Sequence, residues 1–166
     1  MEMPVLNKFL VPVDGSESSC RAKRYAIALA QKCGATVVLF HAHGLFSARI
    51  SPQGRERIVL KNLERIGKAF AIYEEACRKA GVRCETVVRH GAPAEAIIQA
   101  AQELGCGLIV MGVGRAGALL PLPTVSAKVR AHSPVPVVIV GDECDGASQG
   151  LGQWGFAPAR HLQQAC

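Results

Sequence analysis

Five short apolar runs recur along this chain, each separated from the next by a stretch of helical periodicity, and this alternation limits the fold more than any other feature. The runs are residues 9–13 (Phe-Leu-Val-Pro-Val), 36–42 (Thr-Val-Val-Leu-Phe-His-Ala), 82–89, 108–111 and 135–140 (Val-Pro-Val-Val-Ile-Val). They are short, mostly β-branched or aliphatic, and bounded by Gly, Ser or Pro, as buried strands are. Between them, Ala22, Ala26, Leu29, Ala30 and Cys33 fall at helical spacing and Gly34 stops the pattern. A second helix is expected from about Gly54 to Ala80, with Val59, Leu63, Ile66, Phe70, Tyr73, Cys77 and Ala80 on one stripe. The segment 44–53 reads as a loop. Ala94, Ile97, Ile98, Ala101 and Leu104 make a third helix after Gly91-Ala92-Pro93, and Val125 and Val129 a short fourth one starting at Thr124. Strand and helix in strict alternation call for an α/β fold, a five-stranded parallel sheet with helices on both faces. Pro12 cannot donate to a ladder and is expected where pairing stops. Residues 82–89 alternate well enough for a strand with one wetter face.

At 166 residues and 49% hydrophobic, the chain is sized for one domain with a proper core, and 5% aromatics make that core aliphatic. The domain is expected over 1–141. Residues 142–166 are rich in Gly, Ala and Gln without periodicity and read as a flexible tail, in which Trp154 and Phe156 are the candidates to dock on the body. Lys and Arg total 19 against 13 Asp and Glu, a net charge of +6. The densest clusters, Arg21/Lys23/Arg24 and Arg55/Arg57/Lys61, fall on expected helices and read as solvated faces, so nucleic acid is not an expected partner. No apolar run approaches membrane-spanning length, and the N-terminus has no signal-peptide pattern. The seven cysteines lack C-x-x-C spacing and mostly sit on apolar stripes. They read as small buried hydrophobes in a reducing, cytoplasmic compartment.

Open parallel sheets bind ligands beyond the carboxyl ends of their strands, where strand order reverses. With strand 1 beside strand 4, the loop after Asp14 and the loop after Gly112 share one crevice. Gly112, Gly114 and Gly117 let backbone approach a phosphate closely, and Arg115 offers a charge to pair with it. The start of the fourth helix adds free N–H groups and the hydroxyls of Thr124 and Ser126. Asp14 has two roles open to it: contact with a ribose or metal, or capping of the first helix, which Ser16 or Ser18 also suits. No G-x-G-x-x-G follows strand 1, G-x-x-x-x-G-K-[ST] does not occur, and no nucleophile elbow of G-x-S-x-G form joins an expected strand to an expected helix. His41 and His43 share a face near His90, too few ligands for a metal site, and read as polar strand-end residues. No catalytic residue is expected. With no general base beside the glycine loop, the chain reads as a binding protein with at most weak ATP hydrolysis.

Several pieces, in order, resemble the universal stress proteins. They are Val11-Pro12-Val13-Asp14-Gly15-Ser16, Leu39-Phe40-His41-Ala42, Gly91-Ala92-Pro93-Ala94-Glu95-Ala96-Ile97, Leu108-Ile109-Val110-Met111-Gly112, Val125-Ser126-Ala127-Lys128-Val129 and Ser133-Pro134-Val135-Pro136-Val137-Val138-Ile139-Val140. The resemblance implies strand order 3-2-1-4-5 in a three-layer sandwich of the adenine nucleotide alpha hydrolase-like or flavodoxin-like kind. It also implies a cytoplasmic stress-response protein and a homodimer paired through the fifth strand, Val135–Val140, with protein partners unknown. By resemblance, Pro12, Val13, Asp14 and Ala42 frame an adenine and ribose, and Met111, Gly112, Thr124 and Val125 meet phosphate, ATP with Mg²⁺ being the ligand of one branch. That branch carries Gly-x-x-Gly, nine residues, then Gly-Ser or Gly-Thr. Here Gly112 matches, Arg115 and Pro123 replace the next two glycines, and the connecting loop is two residues shorter. Two functions follow: a nucleotide-binding stress protein, or one that binds no ATP and acts through protein contacts.

Overall fold

The first strand, β1 (Lys8–Pro12), is flanked on both sides, and the reason lies in its residues. Phe9, Leu10 and Val11 are fully buried, so neither face of this strand tolerates water. The computed structural model describes residues 6–44, 51–113 and 124–141. Gly114, Arg115, Gly117 and Pro123 lie outside the described residues, as does the whole segment 142–166.

After β1 come α1 (Glu17–Cys33), β2 (Thr36–His43), α2 (Pro52–Lys79), β3 (Cys84–His90), α3 (Pro93–Glu103), β4 (Leu108–Gly112), α4 (Val125–His132) and β5 (Val137–Val140). The strands are parallel and ordered β3-β2-β1-β4-β5, the expected reversal between β1 and β4. On one face Phe9, Val11, Val37, Leu39 and Val110 pack against Ala22, Ala26 and Ala30 of α1 and Ile66, Phe70 and Tyr73 of α2. On the other, Leu10, Val38, Phe40, Ile109 and Met111 meet Ala94, Ile97 and Ala101 of α3 and Val129 of α4. Each fully buried large side chain contributes about 1.5–3 kcal/mol.

Pro12 does more than end a strand. Along β1 the backbone alternates: the Asn7 carbonyl accepts from Thr36 of β2, the Lys8 carbonyl accepts from Gly107 at the β4 side, and the Val13 N–H donates to Phe40 at 2.7 Å. Pro12 therefore belongs to the series facing β4, where it has no N–H to offer. Pairing of β1 with β4 covers Phe9–Leu108 and Leu10–Ile109, whereas β1 stays in register with β2 through Pro12–Phe40. The sheet thus parts between its two central strands at their carboxyl ends.

Several boundaries differ from the sequence reading, each for a local reason. Ser51 caps α2 by accepting the Gly54 N–H at 3.1 Å, so the helix begins at Pro52, inside the expected loop. Val82 lies before β3, its N–H returning 2.9 Å to the Cys77 carbonyl. The Ser133 hydroxyl bonds both the carbonyl and the N–H of Val135, holding a turn, so β5 starts at Val137. As an edge strand, β3 is wet on both faces rather than one.

Two side-chain readings are corrected. Lys23 is not on a solvated face. It is 2% exposed, because it shares the inward stripe with Ala26, Ile27 and Ala30, and its ammonium lies 4.2 Å over the Tyr73 ring. The amino-terminal half of the α2 stripe is not buried: Leu63 is 40% exposed and burial begins at Ile66. A helix of 28 residues runs about 42 Å and a strand of 8 about 26 Å, so α2 overshoots the sheet it covers. Of the cysteines, Cys20, Cys77 and Cys106 are buried as expected, Cys84 is half-buried and Cys33 exposed. Among the described residues no helix is long and apolar enough to cross a membrane.

Gly112 supports a direct test. A Cβ there would lie 2.5 Å from the carbonyl carbon of Ser18 and 2.7 Å from its Cβ, because the first turn of α1 rests on the β4 backbone. Gly112→Ala is expected to lower unfolding free energy by about 1–3 kcal/mol in urea titration. An unchanged midpoint would mean that α1 does not approach β4 this closely.

Candidate functional site

The parting of β1 and β4 opens a cavity of about 210 Å³ at the carboxyl end of the sheet. Pro12, Val13 and Asp14 form its β1 wall, Ala42 belongs to the β2 side, and Met111 and Gly112 end β4. Val125 closes it from the first turn of α4. These residues of the sequence reading meet on one cavity. Thr124 is beside it rather than on its lining: its hydroxyl accepts the Ala127 N–H at 3.2 Å and lies 3.1 Å from the Ser126 hydroxyl. Ser126 itself is on the wall and buried. Gly114, Arg115 and Gly117 fall outside the described residues.

Asp14 and Ser16 divide the capping work. Ser16 is the N-cap of α1, its hydroxyl accepting the Ser19 N–H at 3.2 Å. Asp14 is placed one step back, its Oδ1 accepting the Ser16 N–H at 2.8 Å in a closed two-residue turn. Burial acts to raise the Asp14 pKa, but hydrogen bonds from the Ser16 hydroxyl and N–H and from the Ser19 hydroxyl outweigh it. The carboxyl is held below its ordinary range, hence ionised at neutral pH. A negative charge near a helix N-terminus is also favoured by the helix dipole.

Residues that the sequence reading left out complete the walls. Pro93 and Ile97 come from the start of α3, and Phe40 and His41 from β2. His41 is buried and has a defined partner, the Val13 carbonyl, 2.7 Å from its Nδ1. A carbonyl only accepts, so Nδ1 carries the hydrogen. That bond ties the β2 end to the loop leaving β1. A usable signal was its position in the strand next to β1, one residue before Ala42.

Behind His41 lie His43, at 4.9 Å between ring centroids and edge-on, and His90, stacked on His43 at 5.4 Å. His43 is buried and its Nε2 has no hydrogen-bond partner. Among the described residues no group of three His, Cys, Asp or Glu side chains is placed to hold a metal. Among the described residues Asp14 is the one acidic residue on the cavity wall.

The comparisons with known proteins accord with this geometry. The universal stress protein family matches residues 6–141. A universal stress protein of Thermus aquaticus is 38% identical over 134 residues, which is 79% of this chain and 96% of that one. A universal stress protein solved in complex with cAMP is 26% identical, with TM-score 0.63, over 81% of this chain and 96% of its own. A family protein of Arabidopsis thaliana solved with AMP bound shares the fold at 22% identity and TM-score 0.63, over 84% and 94% of the two chains. A parallel sheet that reverses between β1 and β4, with a cavity at the reversal, is the architecture of an open three-layer α/β domain. The chain belongs to the universal stress protein family.

Burial, then the neighbouring His41 and His90, holds the His43 pKa below its ordinary value of 6.5. Below that value the unfolded chain takes up a proton that the folded chain refuses, so stability falls as pH drops through about 6.5 toward the folded pKa. The thermal midpoint is expected to decrease between pH 7.5 and 5.5, and His43→Phe to flatten that slope. An equal slope in the variant would assign the effect to other groups.

Proposed function

We propose that this universal stress protein is a cytoplasmic stress-response protein that binds an adenine nucleotide in the crevice between β1 and β4. One observation carries the reading: Pro12, Val13, Asp14, Ala42, Met111, Gly112 and Val125, drawn from four separate segments, line a single cavity at the strand-order reversal. The cAMP-bound and AMP-bound relatives support adenine as the base. In this reading Pro12, Val13 and Ala42 flank the adenine, and the Asp14 carboxylate accepts from the ribose hydroxyls. In this reading the phosphate rests between Gly112 and the α4 N-terminus, beside the hydrogen-bonded hydroxyl pair of Thr124 and Ser126. ATP would bring its Mg²⁺ on the phosphates. In this reading the function is binding rather than turnover, with the Ser16 N–H holding the Asp14 carboxylate in place toward the ribose.

Titration calorimetry with AMP, cAMP and ATP, with and without Mg²⁺, tests it. Micromolar binding of at least one is expected, weakened about tenfold or more in Asp14→Ala, as loss of charge-assisted hydrogen bonds implies. No heat and no thermal shift at millimolar ligand would reject the reading. A second reading, action through protein contacts without ATP, is favoured by Arg115 and Pro123 at glycine positions of the ATP-binding pattern. Recovery of ATP from the purified protein by mass spectrometry would exclude that one.

The proposal includes a homodimer paired through the edge strand β5. The Pro136 and Val140 carbonyls bond to β4, so the N–H groups of Val137 and Ile139 point outward from the edge. Ile139→Pro removes an outward donor while leaving the β4 ladder intact. Light scattering is expected to report a dimer for the wild type and a monomer for this variant. A variant that stays dimeric would place the interface elsewhere.

A further inference from the structure

Three imidazoles lie side by side between the cavity wall and the surface. His41 is on the wall and donates from Nδ1 to the Val13 carbonyl at 2.7 Å. His43 meets His41 edge-on at 4.9 Å between ring centroids, and His90 stacks on His43 at 5.4 Å. The strands dictate this placement. His41 and His43 are two apart on β2 and share a face, and His90 is the register partner of His43 on β3. His41 and His43 are buried and His90 is exposed, so the row leads from the site to solvent. Packing alone does not call for it. The buried Nε2 of His43 has no hydrogen-bond partner, which opposes folding, and a hydrocarbon ring would fill the same space without that cost.

We infer that the row His41–His43–His90 couples anion binding in the cavity to proton uptake, so that the protein holds an adenine nucleotide more tightly as pH falls. This rests on the nucleotide reading of the cavity and adds a regulation of that site. Without ligand, His43 is kept neutral at neutral pH, first by burial and then by the charges of His41 and His90. A bound phosphate adds a negative charge to a cavity that His41 lines, and a nearby anion favours protonated imidazole. Adjacent rings lie well inside the screening length of about 10 Å at 0.1 M salt, so charge at one end of the row is felt along it. Protonation leaves the wall in place, because His41 already donates from Nδ1 and an added proton goes to Nε2. Binding that takes up a proton strengthens as pH falls, by up to about tenfold per pH unit for one proton.

The elements around His43 carry other charges. These are Asp14 after β1, Arg89 on β3, Glu95 in the first turn of α3, the Glu17–Arg21 pair on α1, and Arg65 on α2, whose Nη1 lies 3.8 Å from where a Cβ on Gly15 would stand. Among the described residues only His41 and His90 act electrostatically on His43. Asp14 is held below its ordinary range and stays ionised from pH 5.5 to 7.5. His132 is in the last turn of α4, at the end away from the cavity, 2.9 Å from the Lys128 carbonyl.

Calorimetric titration with cAMP at pH 5.5, 6.5 and 7.5, each in two non-phosphate buffers of different ionisation enthalpy, counts the protons taken up. The phosphodiester of cAMP stays singly charged over this range, so the ligand adds no titration of its own. Net proton uptake at pH 6.5 is expected, with affinity about threefold or more tighter at pH 5.5 than at 7.5. His90→Gln, at an exposed position, is expected to keep binding at pH 7.5 and to take up fewer protons, and His43→Phe to take up almost none. If AMP or ATP is the nucleotide that binds, the same count follows after subtracting its own phosphate ionisation. Equal affinity at the three pH values, or proton uptake unchanged in His90→Gln, overturns the inference and leaves nucleotide binding standing. No heat from any of the three nucleotides at any pH rejects the nucleotide reading itself, and the inference falls with it.

Discussion

The contact between the first turn of α1 and the backbone of β4 is the constraint on which the site depends. The helix reaches β4 because residue 112 has no side chain; any Cβ would collide with the backbone of Ser18. That approach fixes where the α1 N-terminus points, and with it Ser16, Ser18 and Asp14. Gly112 has therefore a packing reason to be glycine that is independent of any phosphate. In the proposed nucleotide-binding reading the same absence of a Cβ would also leave a ligand room at the end of β4.

A second constraint acts in the opposite direction. Where α1 draws toward β4, Pro12 keeps β1 from following β4 to its end. The missing N–H falls on the side facing β4, while the side facing β2 remains paired to Phe40. The result is a sheet closed at one end and parted at the other. His41 braces the open end by donating to the Val13 carbonyl, and Asp14 braces it by accepting from Ser16. The walls are thus held by hydrogen bonds within the chain itself, which would reduce the ordering cost of the proposed binding.

Much of the fold was legible because strands and helices here are marked by different periods. The five apolar runs, the helix stops at Gly34, Gly81 and Gly105, and Pro93 at the start of α3 all lie where local chemistry demanded. Asp14, Ala42, Met111 and Gly112 were reachable too, since they are strand ends at a reversal. What escaped was burial that depends on a partner. Lys23 looked like surface charge until Tyr73, fifty residues on, supplied a ring for its ammonium. Leu63 looked like core, yet α2 is longer than the sheet beneath it. His41 read as a strand-end residue because its acceptor, the Val13 carbonyl, is 28 positions away in sequence.

By itself, then, the sequence determined the order of elements, the parallel sheet and the carboxyl-end location of the cavity, since hydrophobic period and turn residues act over a few positions. The tertiary structure alone decided which atoms meet: Ser18 against Gly112, His41 under Val13, Lys23 over Tyr73. Those pairings arise from how two helices and two strands pack at close range. Close packing responds to shape and backbone direction across long separations, and no local pattern in a chain carries that information.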